Sequence, residues 1–131
     1  MTHMKKNILV VDDSALMRRV MCDIINSDSK FQATDYCRDG LEAYEKLKHT
    51  SYDGVVLDVN MPRMDGLQLL EKLQKEGIRA NVVMVSTLTD SREADVTILA
   101  MERGAIDFVA KPTNIIEAKG EAFKRQLLGV L

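Results

Sequence analysis

The chain has 131 residues, 46% of them hydrophobic, and no Pro-, Gly- or Ser-rich linker, so we expect one well-packed domain. The net charge of −2, with both signs interspersed, excludes a basic footprint for nucleic acid and a polybasic membrane patch. No apolar run approaches the length that spans a bilayer. Cys22 and Cys37 lack metal-ligand spacing and indicate two small buried thiols in a reducing compartment, so a soluble cytoplasmic protein is expected.

The first predicted elements follow a short N-terminal segment. Residues 1–5 have no apolar signal-peptide region and carry a second Met, so we interpret them as a disordered cloning remnant and place the domain at residues 6–131. The uniformly apolar run 7–12 predicts a strand buried on both faces. Ser14 stands at an N-cap position, and an apolar stripe at i, i+4 spacing predicts a helix that ends at about Asn26. The stripe comprises Leu16, Val20 and Ile24, with Met17, Met21 and Ile25 beside them.

The middle of the chain repeats this alternation of strand and helix. The run 53–58 has no polar alternation until Asp58, which is typical of a fully buried strand with a carboxylate at its end. Pro62 and the polar residues around it form the loop that follows. The predicted elements are a weaker strand at about 32–37, a helix through Leu41, Tyr44 and Leu47 with Gly40 at its junction with the loop, the strand 53–58, and a helix from Gly66 to Glu76 with Leu67, Leu70 and Leu73 on one face.

The last part of the chain predicts two further strands and two further helices. The strand 81–86 ends at the hydroxyl of Ser86, and the strand 106–110 ends at Lys111. The Lys111–Pro112 peptide is a candidate cis bond, because only an X-Pro bond makes that isomer accessible at low cost. A loop after Ser86 leads to a helix at about 91–103, with Val96, Leu99 and Ala100 inward, and a fifth helix covers about 115–131, weakened by Gly120.

Strict alternation of strands and helices predicts an α/β fold. Each parallel return needs a right-handed crossover, so the helices must cover both faces of the sheet. The expected architecture is a five-stranded parallel sheet, flavodoxin-like (βα)5, with strand order 2-1-3-4-5. In that order the ligand crevice lies outside the carboxyl ends of strands one and three.

Four of the five predicted strands end in side chains that carry chemistry. In a parallel sheet these ends share one edge, so Asp12, Asp13, Asp58, Ser86 and Lys111 should converge there. Three crowded carboxylates repel unless a cation neutralises them, and an all-oxygen acidic site suits Mg²⁺ better than Zn²⁺. A lysine and a hydroxyl nearby suit the oxygens of a phosphoryl group, with Asp58 as the nucleophile.

Each of these residues alone also has a plain structural interpretation. Asp58 is compatible with a turn cap, and Asp12 and Asp13 are compatible with a helix N-terminus. Lys111 alone would usually be a solvated surface lysine. Their joint position at successive strand ends is what favours a functional site.

The same stretches resemble the receiver domain of two-component response regulators. The likeness rests on Asp12-Asp13-Ser, the segment 57–66 (Leu-Asp-Val-Asn-Met-Pro-Arg-Met-Asp-Gly), Val-Ser86 and Lys111-Pro112. By that resemblance Asp58 accepts a phosphoryl group from a phosphohistidine of a sensor histidine kinase, with Mg²⁺, for which Mn²⁺ substitutes. The resemblance further assigns the metal to Asp12, Asp13, Asp58 and the backbone carbonyl of Asn60, a phosphoryl contact to Lys111, and a conformational switch to Ser86 and Phe108.

Three longer stretches are similar to the receiver of chemotaxis protein-glutamate methylesterases. They are residues 10–19, 83–89 and 104–112. This likeness implies a methylesterase output domain, of which the chain contains no Gly-x-Ser-x-Gly elbow and no Ser/His/Asp set. We expect a monomer that, given its net charge, binds no nucleic acid directly, and that catalyses only its own phosphotransfer and dephosphorylation. Asn60 departs from the likeness, because that position is often acidic in the group.

Three alternatives to a methylesterase receiver remain. A stand-alone chemotaxis receiver would have the same site. A phosphatase of the haloacid dehalogenase type would also use a strand-end aspartate, but it needs a second acid two residues later, where Asn60 cannot shuttle a proton. A flavodoxin-like nucleotide or flavin binder would need a Gly-rich loop after strand one, where Asp13-Ser14 stand instead.

Overall fold

The computed structural model describes residues 5–86, 93–112 and 114–131. These residues form one parallel sheet with the order β2-β1-β3-β4-β5, which confirms the predicted topology. The strands are β1 (Lys6–Val11), β2 (Phe31–Cys37), β3 (Gly54–Asp58), β4 (Val82–Ser86) and β5 (Asp107–Ala110), each within about a residue or two of its predicted bounds.

Helices alternate with the strands, and several begin at the capping residue that their sequence provides. The Ser14 hydroxyl accepts a hydrogen bond from the Met17 N–H, as its N-cap position predicted. Asp65 and Gln68 form a reciprocal capping box at the start of the third helix. The helices are α1 (Ala15–Asn26), α2 (Gly40–His49), α3 (Gly66–Lys75), α4 (Glu93–Glu102), α5 (Ile115–Ala118) and α6 (Glu121–Val130). Within the described residues no helix is both long and apolar enough to cross a bilayer.

Two apolar clusters hold the helices to opposite faces of the sheet. Alternate residues of β1, β3 and β4 point to each face, so every central strand contributes to both clusters. The first cluster joins Leu9, Leu57 and Met84 of the sheet to residues of α2, α3 and α4. The second joins Val10, Val56 and Val85 to residues of α1, α5 and α6.

The final helix is divided where we predicted continuity. α5 ends at Ala118, and Gly120, with an extended backbone, is the N-cap of α6. Glycine is a poor helix residue and lets the chain restart in a new direction.

Other predictions about local structure were also wrong. The described residues contain no cis peptide bond, so Lys111–Pro112 is trans, the isomer that an X-Pro bond prefers without a constraint. Leu16 is 57% exposed, because α1 begins beyond the end of β1 and the sheet does not cover its first turn. Cys37 is buried but Cys22 only partly so, since it lines a cleft between α1 and β2. The predicted helix start at 91 and the N-terminal residues 1–4 lie outside the described residues.

Candidate acidic site

Two aspartates lie side by side at the carboxyl edge of the sheet. Val11 pairs with Leu57 in the register of β1 and β3, which places Asp12 beside Asp58. Both are buried, with 0% and 4% of their surface exposed, whereas Asp13 is exposed. One carboxylate oxygen of each of the three lies within 4.8 Å of the others. The structure therefore brings together the three acids that the sequence placed at strand ends.

The two oxygens of the Asp12 carboxylate have different surroundings. Oδ1 accepts a hydrogen bond of 2.8 Å from the Ser14 N–H. Oδ2 is buried and receives no aligned hydrogen bond from the described residues, although Lys111 Nζ lies 2.7 Å away. A buried anionic oxygen with spare lone pairs, in a site built of oxygens, fits a hard divalent cation such as Mg²⁺.

Lys111 brings a positive charge to both buried carboxylates. Its Nζ also lies 3.3 Å from Oδ2 of Asp58, and its side chain is only 10% exposed. The Lys111 N–H donates to the Ser86 carbonyl over 2.8 Å, which fixes the end of β5 against the end of β4. Burial lowers the pKa of Lys111, but the two carboxylates outweigh burial and hold this pKa above its ordinary value. The ammonium therefore stays charged inside the site.

The Asp58 carboxyl is held part of the way toward its neutral form. Burial raises its pKa to about 6, the charge of Asp12 adds to the rise, and Lys111 opposes it. A carboxyl with this pKa is mostly ionised at neutral pH and gains from any further cation. The site therefore combines a buried carboxyl group, Asp58, with a buried ammonium group, Lys111.

The other predicted site residues, Ser86, Phe108 and Asn60, lie on β4, on β5 and in the loop after β3. Ser86 ends β4 and is 3% exposed. Phe108 pairs with Met84, two residues before Ser86, so Phe108 and Ser86 belong to the same face of the sheet. Phe108 is partly buried against the first apolar cluster. Asn60 lies in the loop after Asp58 with its side chain exposed.

One ion pair beside the site was not predicted from the sequence. Arg63, in the loop after Asp58, binds the buried carboxylate of Asp39 through its Nε, at 2.8 Å, and through a second guanidinium nitrogen. Burial would raise the pKa of Asp39, but the Glu42 N–H and Arg63 outweigh it and hold this pKa below its usual range. Asp39 was detectable as an acid just before the Gly40 helix, but no pattern pointed to Arg63.

Residues 8–120 match the family described as the response regulator receiver domain. The chain belongs to this family. The match covers most of the chain and includes the acids, the hydroxyl and the lysine of the strand ends. The match confirms the resemblance to receiver domains that the strand-end motifs indicated.

Known proteins with similar sequences point to one kind of receiver. The chain is 45% identical over 124 residues to the protein-glutamate methylesterase/protein-glutamine glutaminase of Pyrococcus horikoshii, covering 95% of this chain and 33% of that protein. It is 50% identical over 109 residues to the enzyme of the same name from Escherichia coli K12, covering 82% of this chain and 30% of that protein. The chain thus spans about a third of the length of these relatives.

Two solved structures show the same fold. The response regulator domain of Thermotoga maritima CheB superposes with a TM-score of 0.80 at 35% identity, covering 97% of this chain and 91% of that one. A chain of the CheX-CheY-BeF3-Mg+2 complex from Borrelia burgdorferi gives 0.75 at 29% identity, covering 96% and 90%. This receiver domain is therefore that of a CheB-like response regulator in two-component signalling, and the phosphoacceptor role follows from the family.

Proposed function

We propose that Asp58 is the phosphoacceptor of this receiver domain, which we place at residues 6–131, and that its donor is a phosphohistidine of a sensor histidine kinase. The observation that carries the proposal is the contact of one buried lysine with two buried carboxylates, 2.7 Å from Asp12 and 3.3 Å from Asp58. Because these charges are buried and poorly screened by water, they interact strongly with one another and with any charged group that enters the site. We expect a cytoplasmic monomer, in keeping with its free thiols and its proposed kinase partner.

In the proposed transfer, an ionised oxygen of Asp58 attacks the phosphorus atom and the phosphorus–nitrogen bond of the phosphohistidine breaks. The electron pair of that bond stays on the imidazole, which leaves as a neutral ring once protonated from solvent. Lys111 pairs with an oxygen of the transferred group, and the Ser86 hydroxyl donates to another. Positioning and charge neutralisation are the main demands of phosphoryl transfer, and these buried side chains are suited to both.

Asp12, Asp13, Asp58 and the Asn60 carbonyl are the groups that we expect to hold Mg²⁺, with Mn²⁺ as a substitute. The buried Oδ2 of Asp12 supports this assignment, because it receives no aligned hydrogen bond from the described residues and keeps free lone pairs beside its contact with Lys111. When bound, the ion neutralises charge on the phosphoryl oxygens. Asn60 also favours a receiver over a phosphatase of the haloacid dehalogenase type, because an amide cannot act as the second acid that such an enzyme uses.

The proposed output surface lies beside Phe108 on α4, β5 and α5. Four large apolar side chains are exposed on or next to these elements, where a partner domain could cover them. Their exposed fractions are 57% for Ile98, 43% for Met101, 52% for Ile106 and 82% for Ile116. We propose that this surface covers a protein-glutamate methylesterase domain, the enzyme named in the relatives, and releases it on phosphorylation. A separate effector bound by a stand-alone receiver is the alternative.

The deciding experiment is phosphorylation by a small donor, acetyl phosphate, followed by intact mass spectrometry. We expect the wild type to gain one phosphoryl group only when Mg²⁺ or Mn²⁺ is present, and Asp58→Asn to gain none. Asp95→Asn, which removes an exposed acid of α4, is the matched control and should be phosphorylated like the wild type. Equal incorporation by Asp58→Asn would refute the assignment of the acceptor.

A further inference from the structure

The loop that carries Asn60 is closed tightly at its base. The Gly66 N–H donates to the Val59 carbonyl over 2.8 Å, so the loop leaves β3 and enters α3 at almost the same point. Gly66 packs so closely on the Asp58 carbonyl that a β-carbon there would overlap it. The position of the Asn60 carbonyl therefore depends on the conformation of only a few residues.

One of those residues has a strained backbone. The Met64 N–H donates to the Pro62 carbonyl over 2.7 Å, which forms a three-residue γ-turn around Arg63. Arg63 has a φ of 65°, the left-handed region that residues with a β-carbon rarely adopt. A γ-turn with positive φ is the rare and strained form, and such strain persists only where surrounding contacts impose it.

The contacts that impose it come from the start of α2. Asp39 is 3% exposed; its Oδ1 caps α2 by accepting from the Glu42 N–H at 2.9 Å, and its Oδ2 binds Arg63. The next residue, Gly40, donates its N–H to the Met64 carbonyl over 2.9 Å. The start of α2 therefore holds the turn at two successive residues. The Asp39 carboxylate binds the Arg63 side chain, and the Gly40 N–H binds the Met64 carbonyl.

We propose that Arg63, through its ion pair with Asp39, is a positioning residue that maintains the strained turn and so presents the Asn60 carbonyl to the metal. The inference rests on the proposed function, because it assumes that this carbonyl is a ligand. Arg63 contacts none of the three carboxylates in the described structure; it acts through the backbone. Groups that orient metal ligands in this way commonly affect affinity about 10-fold or more when they are removed.

The choice of replacement separates this role from a general effect on the loop. Arg63→Ala keeps the β-carbon that makes the turn strained and removes the side chain that offsets the strain. Arg63→Gly removes both, because glycine adopts positive φ without a steric penalty. We expect Mg²⁺ affinity to fall about 10-fold in Arg63→Ala and less than about 3-fold in Arg63→Gly.

The pair itself is tested from the other side with Asp39→Asn. Asparagine caps helices as well as aspartate does, so α2 keeps its N-cap while the charge that holds Arg63 is lost. We expect a loss of Mg²⁺ affinity like that of Arg63→Ala, and no further loss in the double variant, since the two residues act as one unit. Arg19→Ala, which breaks the exposed ion pair with Asp23, is the control and should bind Mg²⁺ like the wild type.

Two measurements keep this inference distinct from the proposed function. Calorimetry gives the Mg²⁺ dissociation constant of each folded variant, and ¹H–¹⁵N spectra recorded without metal give the amide shifts of Asn60 and Met61. We expect these shifts to move in Arg63→Ala and to return toward their wild-type values in Arg63→Gly. Wild-type affinity and unmoved shifts in Arg63→Ala would overturn the inference alone. A wild type that binds no Mg²⁺ would overturn the proposed function and this inference with it.

Discussion

Lys111 Nζ lies 2.7 Å from Oδ2 of Asp12, closer than it lies to the proposed acceptor Asp58. The lysine therefore interacts most closely with a proposed metal ligand that is not itself the proposed acceptor, and it does so inside a buried site. Any cation that binds Asp12 adds a second positive charge within a few ångströms of this ammonium. Metal affinity must then reflect a balance between attraction to three acids and repulsion from one lysine.

Replacing Lys111 should strengthen metal binding. Lys111→Met keeps the length of the side chain and removes its charge, so we expect Mg²⁺ to bind roughly 5-fold more tightly, about 1 kcal/mol. Without metal, Asp12 and Asp58 lose their shared partner, and the free energy of unfolding should fall by about 2–4 kcal/mol. Calorimetry and denaturant unfolding in a chelator measure the two effects, and weaker Mg²⁺ binding by Lys111→Met would contradict this account.

Stability without metal should depend on the pH in a way set by Asp58. Because the pKa of this carboxyl is about 6 in the folded protein and 3.8 in an unfolded chain, folding favours its protonated form. Its contribution to stability is full below about pH 4 and is lost as the pH rises through about 6. Lys111 remains charged throughout this range, since its pKa is raised.

Asp58→Asn should remove that dependence. At pH 7.5 we expect the variant to be more stable than the wild type by about 1–3 kcal/mol, and this difference should shrink as the pH is lowered toward about 4.5. Denaturant unfolding in a chelator at several pH values measures it. A difference that stays constant, or grows as the solution is acidified, would show that Asp58 is not the group responsible.

Asp13 allows metal binding to be tested with little effect on the fold. It is exposed, and among the described residues it lies close to the carboxylates of Asp12 and Asp58. Asp13→Asn should weaken Mg²⁺ binding about 10-fold. The same change should leave stability without metal within about 0.5 kcal/mol or raise it slightly, because it relieves like-charge repulsion. A clearly destabilised protein with unchanged Mg²⁺ affinity would argue against the acidic cluster as the metal site.

Ser86 should be needed to carry the signal to Phe108. A phosphoryl group on Asp58 would draw the Ser86 hydroxyl toward it and free space on the face that Ser86 shares with Phe108. Phe108 has no hydroxyl, so its positions should differ only by packing. With beryllofluoride, a phosphoryl mimic, we expect amide-exchange changes to reach Asp107 and Phe108 in the wild type and to diminish there in Ser86→Ala.

Ser51→Ala is the control for this comparison, because Ser51 is an exposed residue before β3. It should respond to beryllofluoride as the wild type does. The proposed switch would be wrong if the wild-type changes stayed within the loop after Asp58, or if Ser86→Ala transmitted them to Phe108 undiminished.

The parallel topology is the reason that so much of the site could be predicted from sequence. Once the alternation of strands and helices fixes a parallel sheet, every strand end lies on one edge. The topology alone then predicts that Asp12, Asp58 and Lys111 are neighbours, although the sequence does not show their side-chain contacts. The structure bears out this inference, with Lys111 in contact with both acids.

The ion pair of Asp39 and Arg63 could not be predicted in the same way. The two residues are 24 positions apart in sequence, and Arg63 lies in a loop, where no periodicity relates one side chain to another. Its positive φ contradicts the ordinary preference of arginine, so local propensity pointed elsewhere. The prediction that Leu16 faces the core was wrong for a related reason. An apolar stripe on a helix does not show where the sheet that would cover it ends.

Gly40 and Gly66 also limit which substitutions the domain can tolerate. A methyl group at either position would meet backbone atoms of the loop or of β3, whereas one at Gly129 would meet nothing within 4 Å. In a library of all single substitutions, Gly40→Ala and Gly66→Ala should be depleted as strongly as the loss of a site carboxylate. Gly129→Ala should be retained or enriched, because alanine favours the helix. The same replacement, glycine by alanine, will thus be tolerated at position 129 and rejected at positions 40 and 66. Substitution scores based on residue similarity alone will not distinguish these positions.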